Sequence, residues 1–382
     1  MKRRQKKSIV FIYPDYHCSF IYRDELRRLG WTADIYVPVG FPQTLLYGEP
    51  DLEGPQPASN RLMDIYIAGL RTQWLYLKLV RKYRYHFYNG NLEHFTLFER
   101  IFRLDLVLGK SFRVNLFFAR IFGCKILYHP SGAPDEEMPN VIAALGNDEE
   151  GVAVRDSRLM KVHFDTLRRY SHLNIGYGLL DSTQYKATHM KYRSIDLDLW
   201  NSNIDVPPQF RLQPTLKIRI LHSFMFGEQR MRLQGGNIKG SKYVAQAVEQ
   251  LLAEGYEIEL ISFGNVPTQH YKFYQVQADI IVEELIRGSW GSTAVECMSL
   301  GKPVVTYIRP DWEERYYRLF PETYPLPLVN ANKWTIYNVL KRLLDDAQLR
   351  KSIGQDSRSF AENHLNPAIN VRNFANFLVE NL

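Results

Sequence analysis

The sequence predicts an α/β protein with two doubly wound domains of similar size. Short apolar runs of strand length alternate with segments of helical periodicity in both halves of the chain, a pattern typical of parallel sheets covered by helices. The chain has 382 residues, of which 45% are hydrophobic, and this length exceeds what one ordinary core accommodates. We therefore expect two domains, each built around its own sheet.

The first elements of the chain match the start of such a sheet. Residues 8–13 form an apolar run, residues 17–29 have helical periodicity and end at Gly30, and residues 33–37 form a second apolar run. No G-x-G-x-x-G sequence follows the first strand, which counts against a dinucleotide-dependent dehydrogenase. Residues 38–60 are rich in proline and glycine and are predicted as a loop.

A helix with mixed surface character is predicted over residues 61–83. Its predicted apolar face consists of Leu62, Ile65, Leu70, Trp74, Leu77 and Val80, and its positive charge comes from Arg71, Lys78, Arg81, Lys82 and the following Arg84. A basic amphipathic helix with aromatic residues can rest on an anionic membrane. The alternative is a surface helix with a solvated basic face, and we favour this second interpretation.

The stretch at residues 278–308 is the most informative part of the C-terminal half. An apolar run at 280–282 predicts a buried strand, and a turn of small residues at 288–291 follows it. A short helix is predicted to begin at Ser292 or Thr293 and to end at Gly301 with a left-handed cap. A second buried strand follows at 304–308.

This strand–loop–helix–strand unit has the features of a nucleotide-diphosphate pocket. The backbone N–H groups at the N-terminus of a helix form an anion site. Glu296 lies in the middle of the same helix, and an acid near a phosphate-binding loop often accepts hydrogen bonds from ribose hydroxyls.

The run GSTAVECMSLGKPVV at residues 291–305 resembles the C-terminal signature of retaining glycosyltransferases of the GT-B fold, the large family 4 group. In that family a helix carries Glu-Ala-Met-Ala-x-Gly-x-Pro-Val-Val, and its glutamate binds the ribose of a sugar nucleotide. The matching residues here are Glu296, Met298, Gly301, Pro303, Val304 and Val305. One departure is Gly288, which stands where the family usually has another glutamate that contacts the donor sugar.

The resemblance implies a GT-B fold, in which two Rossmann-like doubly wound domains face a central cleft. We expect an acceptor-side domain over residues 1–200, a nucleotide-sugar domain over 201–366, and a C-terminal helix over 367–382 that crosses back to the first domain. Residues 192–200 resemble the family's hinge and contain Asp196 and Asp198. An Asp-x-Asp pair can hold a divalent metal on a diphosphate in the other major glycosyltransferase fold, but we favour the hinge.

The resemblance also implies individual site residues. Family members bind the pyrophosphate with a lysine and an arginine, and the matching residues are Lys239 with either Arg230 or Arg232. A loop beginning at Gly264 would approach the nucleobase or the sugar. The backbone of the turn and helix start would hold the diphosphate, through Ser289, Trp290, Gly291, Ser292 and Thr293.

A histidine is implied on the N-terminal side. The strand at 125–128 leads into His129, with Asp135 beyond it, and this resembles a family loop in which a histidine faces the donor sugar. A histidine in a cleft can hydrogen-bond a hydroxyl or stabilise phosphate charge, so His129 and Lys239 are the candidate catalytic residues. No metal is expected, because basic side chains and helix N-termini would neutralise the leaving diphosphate.

Composition limits the partners and the location. The net charge is +7 and the pI about 9.1, which suits an anionic partner: a sugar nucleotide, a membrane surface or nucleic acid. Nucleic acid is disfavoured because no recognisable motif accompanies the charge. No apolar run is long enough to span a bilayer, no secretory signal is present, and the three cysteines have no metal-ligand spacing. We expect reduced thiols and a cytoplasmic location, with contact at the inner face of the membrane left open.

The predicted activity is retaining transfer of a hexose from a nucleotide-diphosphate sugar to a hydroxyl group. The acceptor would be a glycan or a lipid-linked molecule in polysaccharide, glycolipid or other glycoconjugate synthesis. Two alternatives stay open. One is a sugar-nucleotide-binding GT-B protein that has lost catalysis, which Gly288 motivates, and the other is a GT-B sugar-nucleotide epimerase.

Overall fold

A computed structural model describes residues 6–15, 17–38, 41, 46–90, 92, 108–130, 157–176, 187–222, 239–263, 266–286 and 288–382. The chain divides into two compact units. Unit 1 combines Met1–Glu136, Arg155–Tyr192 and Pro367–Leu382, and unit 2 combines Glu137–Val154 and Arg193–Asn366. Each unit is built around its own parallel sheet, as the alternation of strands and helices predicts.

In the described residues, unit 1 contains a seven-stranded sheet with the order β3-β2-β1-β4-β5-β6-β7. All neighbouring strands are parallel. The strands are β1 (Ser8–Ile12), β2 (Thr32–Val37), β3 (Leu52–Glu53), β4 (Tyr85–Asn89), β5 (Lys125–His129), β6 (Leu173–Gly176) and β7 (Ala187–His189). The helices are α1 (Cys18–Arg28), α2 (Leu62–Lys82), α3 (Val114–Ile121), α4 (Ser157–Tyr170) and the C-terminal helix, here α11 (Pro367–Asn381).

Helices cover both faces of this sheet. Helices α2, α3 and α4 share one apolar core with side chains from β1, β4 and β5. On the opposite face, Phe87 of β4 contacts Phe374 of α11, which in turn contacts Tyr22 of α1. Helix α11 is also tied to the sheet by the Tyr85 hydroxyl, which donates to the Leu378 carbonyl over 2.9 Å. The C-terminal helix is therefore part of unit 1.

Helix α2 confirms the predicted helix but not the predicted apolar face. The side chains that it buries are Ala68, Gln73, Tyr76, Leu79 and Val80. Leu70, Trp74 and Leu77, which belong to the predicted apolar face, are exposed. The helix has apolar residues on both sides, so periodicity alone does not determine which side meets the core.

The part of unit 2 that the structure describes contains a five-stranded parallel sheet with the order β12-β11-β10-β8-β9. Its strands are β8 (Ile218–Leu221), β9 (Ile258–Ile261), β10 (Ile280–Val282), β11 (Val304–Thr306) and β12 (Leu328–Asn330). Its helices are α5 (Ser241–Ala253), α6 (Thr268–Gln275), α7 (Ser292–Ser299), α8 (Pro310–Leu319), α9 (Ile336–Asp345) and α10 (Ala347–His364). The predicted unit at 278–308 is thus confirmed as β10, a loop, α7 and β11.

Two glycines set the position of α7 within unit 2. Gly301 follows α7 with a φ of +69°, which confirms the predicted left-handed cap. A Cβ atom at Gly354 of α10 would lie 2.3 Å from the Gly301 carbonyl oxygen. The two backbones touch at this point, so the contact leaves no room for a side chain at residue 354.

Several sequence-based expectations concern single residues. The three cysteines are buried free thiols. Asp196 accepts the backbone N–H groups of Asp198 and Leu199 at 3.0 and 3.1 Å, so its carboxylate stabilises a turn. Within the described part of the chain, no set of three or more histidine, cysteine and acidic side chains is arranged to hold a metal ion. No helix there has both the length and the apolar character needed to cross a bilayer.

Candidate active site

The sheet of unit 2 has a topological switch point between β8 and β10. The chain leaves β8 toward β9 on one side and later returns to place β10 on the other side. Ligands of open α/β sheets bind at the carboxyl ends of the strands where the order reverses. His222 follows β8 and Glu283 follows β10, so these residues mark the location of the candidate site.

The segment that leads into α5 lies against the loop that follows β10. The Leu285 N–H donates to the Lys239 carbonyl over 3.2 Å. Gly240 has a φ of +76°, and a Cβ atom there would lie 2.8 Å from the Leu285 Cβ. Glycine is therefore required between Lys239 and the N-terminus of α5 at Ser241. This contact brings the predicted pyrophosphate-binding lysine to the switch point.

His222 is a neutral imidazole at this point. Its Nδ1 lies 2.8 Å from the Val282 carbonyl and its Nε2 lies 2.8 Å from the Ser241 hydroxyl. A carbonyl only accepts, so Nδ1 carries the proton and Nε2 accepts from the hydroxyl. Burial lowers the pKa of His222 to about 4, with a smaller contribution from the charge of Lys239. The histidine joins β8, β10 and α5 without adding charge at neutral pH.

The loop between β10 and α7 differs from the expected row of exposed amides. The Gly291 N–H donates to the Glu283 carboxylate and the Gly288 N–H donates to the Glu284 carboxylate, both over 3.0 Å. Both glutamates are buried. The amide of Gly291, predicted to contact a diphosphate, is therefore occupied by a protein carboxylate. The sequence places two acids directly after the buried strand, and this is the signal that could have indicated the arrangement.

Gly288 occupies a position that no side chain can share. Its φ is +82°, and a Cβ atom there would lie 2.7 Å from the Arg309 Cβ and 3.2 Å from the Tyr307 ring. Any L-residue would be strained in this backbone conformation and would also collide with its neighbours. The family's donor-sugar glutamate is thus absent from the sequence and is also excluded by the backbone.

Glu296 lies on α7 with its carboxylate held by α6. The Gln275 side-chain amide donates to Glu296 Oε2 over 2.6 Å. Gln275 is fully buried, and Glu296 is 6% exposed. The predicted contact between Glu296 and a ribose stays a prediction. Gln275, which sequence reasoning missed, fixes the orientation of this carboxylate.

The remaining predicted loop residues have mixed environments. Trp290 is buried, and its indole contacts the rings of Tyr316 and Phe360 at centroid distances of 6.0 and 6.1 Å. Its side chain therefore packs in the interior and stabilises the loop. Ser289 lies in the loop, and Ser292 and Thr293, both partly exposed, form the first turn of α7. Arg230, Arg232, Gly264 and Asp135 lie outside the described residues.

The predicted catalytic histidine belongs to unit 1. His129 ends β5, and its Nδ1 lies 3.0 Å from the Ile175 carbonyl. Its Nε2 lies 3.9 Å from Asp15 Oδ2, and the imidazole is 3% exposed. Because the carbonyl only accepts, Nδ1 donates, and a proton taken up at Nε2 would form an imidazolium beside a carboxylate. Asp15 follows β1, which borders the switch point between β1 and β4 in this sheet.

A separate pocket of about 590 Å³ lies in unit 2 between α9, α10 and the edge strand β12. Its lining includes Leu326, Leu343 and Phe360, with Arg342 and His364 among the polar members. None of the predicted site residues lines it. The switch point, where Lys239 and the loop before α7 converge, is the better candidate because its position follows from the sheet topology.

Similar solved structures identify the fold. Sucrose-phosphate synthase from Thermosynechococcus elongatus is 14% identical, with 98% of each chain covered and a TM-score of 0.59. A glycosyltransferase from Rickettsia africae is 13% identical, with 99% of this chain and 100% of that chain covered and a TM-score of 0.55. The protein therefore has the GT-B fold of these glycosyltransferases.

A third similar structure broadens the range of chemistry found on this fold. A protein assigned as a UDP-N-acetylglucosamine 2-epimerase from Listeria monocytogenes is 9% identical, with 98% of this chain and 96% of that chain covered and a TM-score of 0.53. No protein-family model matches the sequence, and no curated protein does either.

Proposed function

We propose that the protein is a retaining glycosyltransferase that moves a hexose from a nucleotide-diphosphate sugar to a hydroxyl group of a glycan or lipid-linked acceptor. The observation that carries the proposal is the contact between the Lys239 segment and the loop after β10 at the switch point of unit 2. The contact supports the proposal because it joins the backbone of Lys239, next to the N-terminus of α5, to the loop at the strand ends where α/β sheets bind phosphates. The GT-B fold supports the same assignment.

In the proposed complex, Lys239 and the N-termini of α5 and α7 hold the diphosphate. A lysine ammonium is a compact point charge that adds to the fixed N–H donors of a helix start. Glu296 accepts from the ribose hydroxyls while the Gln275 amide holds its carboxylate in one orientation. The buried carboxylates of Glu283 and Glu284 keep the loop in shape through its glycine amides.

The proposed reaction is front-face attack by the acceptor hydroxyl on the anomeric carbon. The new bond joins the acceptor oxygen to that carbon, and the bond to the leaving diphosphate breaks. The hydroxyl proton passes to the leaving phosphate, so no protein carboxylate is assigned as the base and no metal is required. His129 has the proposed role of hydrogen-bonding the transferred sugar or the developing phosphate charge.

A thermal-shift screen with UDP, GDP, ADP and their sugars tests donor binding. One nucleotide should raise the unfolding temperature selectively, since ligand at a hundredfold excess over Kd stabilises the native state by about 2.7 kcal/mol. Lys239→Ala should lose about tenfold or more in affinity, and Lys242→Ala, which removes an exposed lysine from the same segment, is the matched control. If no nucleotide stabilises the protein, or if both variants bind like the wild type, the assignment is wrong.

The second candidate is a binding protein without transferase activity, and the crowding at Gly288 favours it. A turnover assay with the donor found in the screen and with glycan and lipid acceptors separates the two. Transfer to an acceptor supports the transferase, and donor binding without turnover supports the binding protein. A product formed without acceptor would instead indicate an epimerase, the activity assigned to one of the similar structures.

A further inference from the structure

Helix α2 of unit 1 turns a continuous apolar stripe toward solvent. Met63, Ile67, Leu70, Trp74 and Leu77 follow one another at intervals of four and three residues, which places them on one side of the helix. Together with Tyr66 they are between 39% and 67% exposed. Monomeric soluble proteins rarely expose a contiguous apolar stripe of this kind, and such stripes often mark interaction sites.

The opposite side of α2 packs against the sheet. Tyr76, Leu79 and Val80 are buried in the core that α2 shares with the sheet. The exposed stripe therefore cannot be explained as the core-facing side of a helix.

The neighbouring helix α3 extends the apolar surface. Helix α3 packs against α2, and both contribute to the core on the same face of the sheet. Phe117, Phe118 and Ile121 of α3 are between 42% and 62% exposed. We call these side chains together the α2–α3 surface, defined as Met63, Tyr66, Ile67, Leu70, Trp74, Leu77, Phe117, Phe118 and Ile121.

The charges that α2 and α3 themselves carry have predominantly one sign. Residues 61–82 contain five basic residues and one acid, Asp64, and α3 contains Arg120 and no acid. The Lys78 ammonium lies 3.7 Å from the centre of the Trp74 ring, so a cation is held directly beside the most exposed aromatic of the stripe. Lys82 pairs with Asp34 over 2.7 Å and is not counted as part of this rim.

We propose that the α2–α3 surface docks on an anionic lipid bilayer. The apolar stripe would enter the boundary between headgroups and acyl chains, and Arg71, Lys78 and Arg81 would meet the lipid phosphates. Tryptophan and tyrosine favour this boundary because their rings are amphipathic. A second copy of the chain fits less well, since self-association through the stripe would bring two basic rims together.

Vesicle sedimentation tests the proposal with the full-length protein and needs no donor or acceptor. Wild-type protein should sediment with vesicles of phosphatidylcholine mixed with phosphatidylglycerol, and binding should weaken with added salt. The variant Leu70→Ser/Trp74→Ser/Leu77→Ser should bind about tenfold or more weakly. Lys78→Gln/Arg81→Gln should lose about tenfold in affinity for the anionic vesicles.

Matched controls come from unit 2. Trp334→Ser removes another exposed tryptophan that has a lysine beside its ring, Lys333 at 4.7 Å, and Lys351→Gln removes an exposed lysine. Both should bind vesicles like the wild type. The α2 variants should keep the wild-type unfolding temperature within about 2 °C, because exposed side chains contribute little to stability.

Three results would overturn the proposal. The first is wild-type protein that does not sediment with anionic vesicles. The second is a triple serine variant that binds as tightly as the wild type. The third is a wild-type dimer, seen by light scattering, that the triple variant cannot form and that excludes vesicle binding, because the occupant would then be a second copy of the chain.

Discussion

Each of the two units has a buried histidine directly at the end of a central strand. The two histidines differ in the group that lies next to Nε2. In both, Nδ1 donates to a backbone carbonyl, that of Ile175 for His129 and that of Val282 for His222. Nε2 of His222 accepts from the Ser241 hydroxyl, whereas Nε2 of His129 lies 3.9 Å from a carboxylate of Asp15. The same residue type therefore serves as a neutral structural link in unit 2, whereas in unit 1 its Nε2 faces a carboxylate.

Asparagine substitutions test this difference most strongly. The asparagine amide can replace Nδ1 as a donor to the carbonyl but has nothing at the position of Nε2. We expect His129→Asn to lower the transfer rate about hundredfold or more, the range for a lost general acid–base or electrostatic group. His222→Asn should change the rate by less than about threefold, apart from effects of lower stability.

Steady-state kinetics at a temperature where both variants are folded would measure the contrast. If the two asparagine variants lose activity equally, both histidines are structural and the comparison fails. The Kd of the donor, measured beside kcat, separates weaker binding from slower chemistry.

Alanine substitutions of one glycine in each unit compare how much unfolding free energy a side chain costs at a left-handed position. Gly30 has a φ of +78° and no atom within 4 Å of an added Cβ, whereas Gly288 has a φ of +82° with the Arg309 Cβ at 2.7 Å. Gly30→Ala should cost about 1 kcal/mol of unfolding free energy from the left-handed backbone alone. Gly288→Ala should cost about 3 kcal/mol because overpacking adds to the strain. Urea unfolding measures both, and equal losses would mean that the loop before α7 adjusts freely.

The pH dependence of stability tests the neutral state of His222. Burial lowers the pKa of His222 to about 4 from 6.5, so the unfolded chain takes up a proton at this residue in a pH range where the native state does not. The contribution of His222 to the free energy of unfolding is therefore fully present above pH 6.5 and is lost as the pH is lowered toward 4. Between pH 7 and pH 5 the loss should be about 2 kcal/mol.

The variant His222→Asn should remove this part of the pH dependence. Urea unfolding of wild type and variant at the two pH values would show it as a smaller difference for the variant. If the variant loses as much stability between the two pH values as the wild type does, the pH dependence comes from other groups. His172→Asn, at a position in unit 1 whose imidazole Nδ1 accepts the Ile126 N–H, is a control for the substitution itself.

Much of the fold could be predicted because strand and helix patterns are local. The order of β10, α7 and β11 and the left-handed Gly301 followed from a few residues and their spacing. The side of α2 that meets the core could not be predicted, because Leu70 and Trp74 are as apolar as the buried Leu79 and only tertiary packing distinguishes them.

The roles of the predicted site residues stay predictions, and the structure adds hydrogen bonds around them that the sequence did not indicate. The Lys239 carbonyl accepts the N–H of Leu285, which lies in the loop between β10 and α7. The Gly291 amide, which was expected to face a diphosphate, donates to the Glu283 carboxylate, and the pattern of strand and helix does not indicate this hydrogen bond. Gln275 was missed, since nothing in the sequence of α6 indicates that it faces Glu296.

The touching backbones of Gly301 and Gly354 have a consequence for how this chain can vary. A methyl group at residue 354 would overlap the Gly301 carbonyl. A substitution at residue 354 therefore requires the backbone at Gly301 to move. Any descendant with a larger residue at residue 354 would need to rebuild the end of α7 in the same step, and Glu296 would move with it. Glycine at residue 354, outside every predicted site, should therefore persist for as long as the carboxylate of Glu296 is needed where it is.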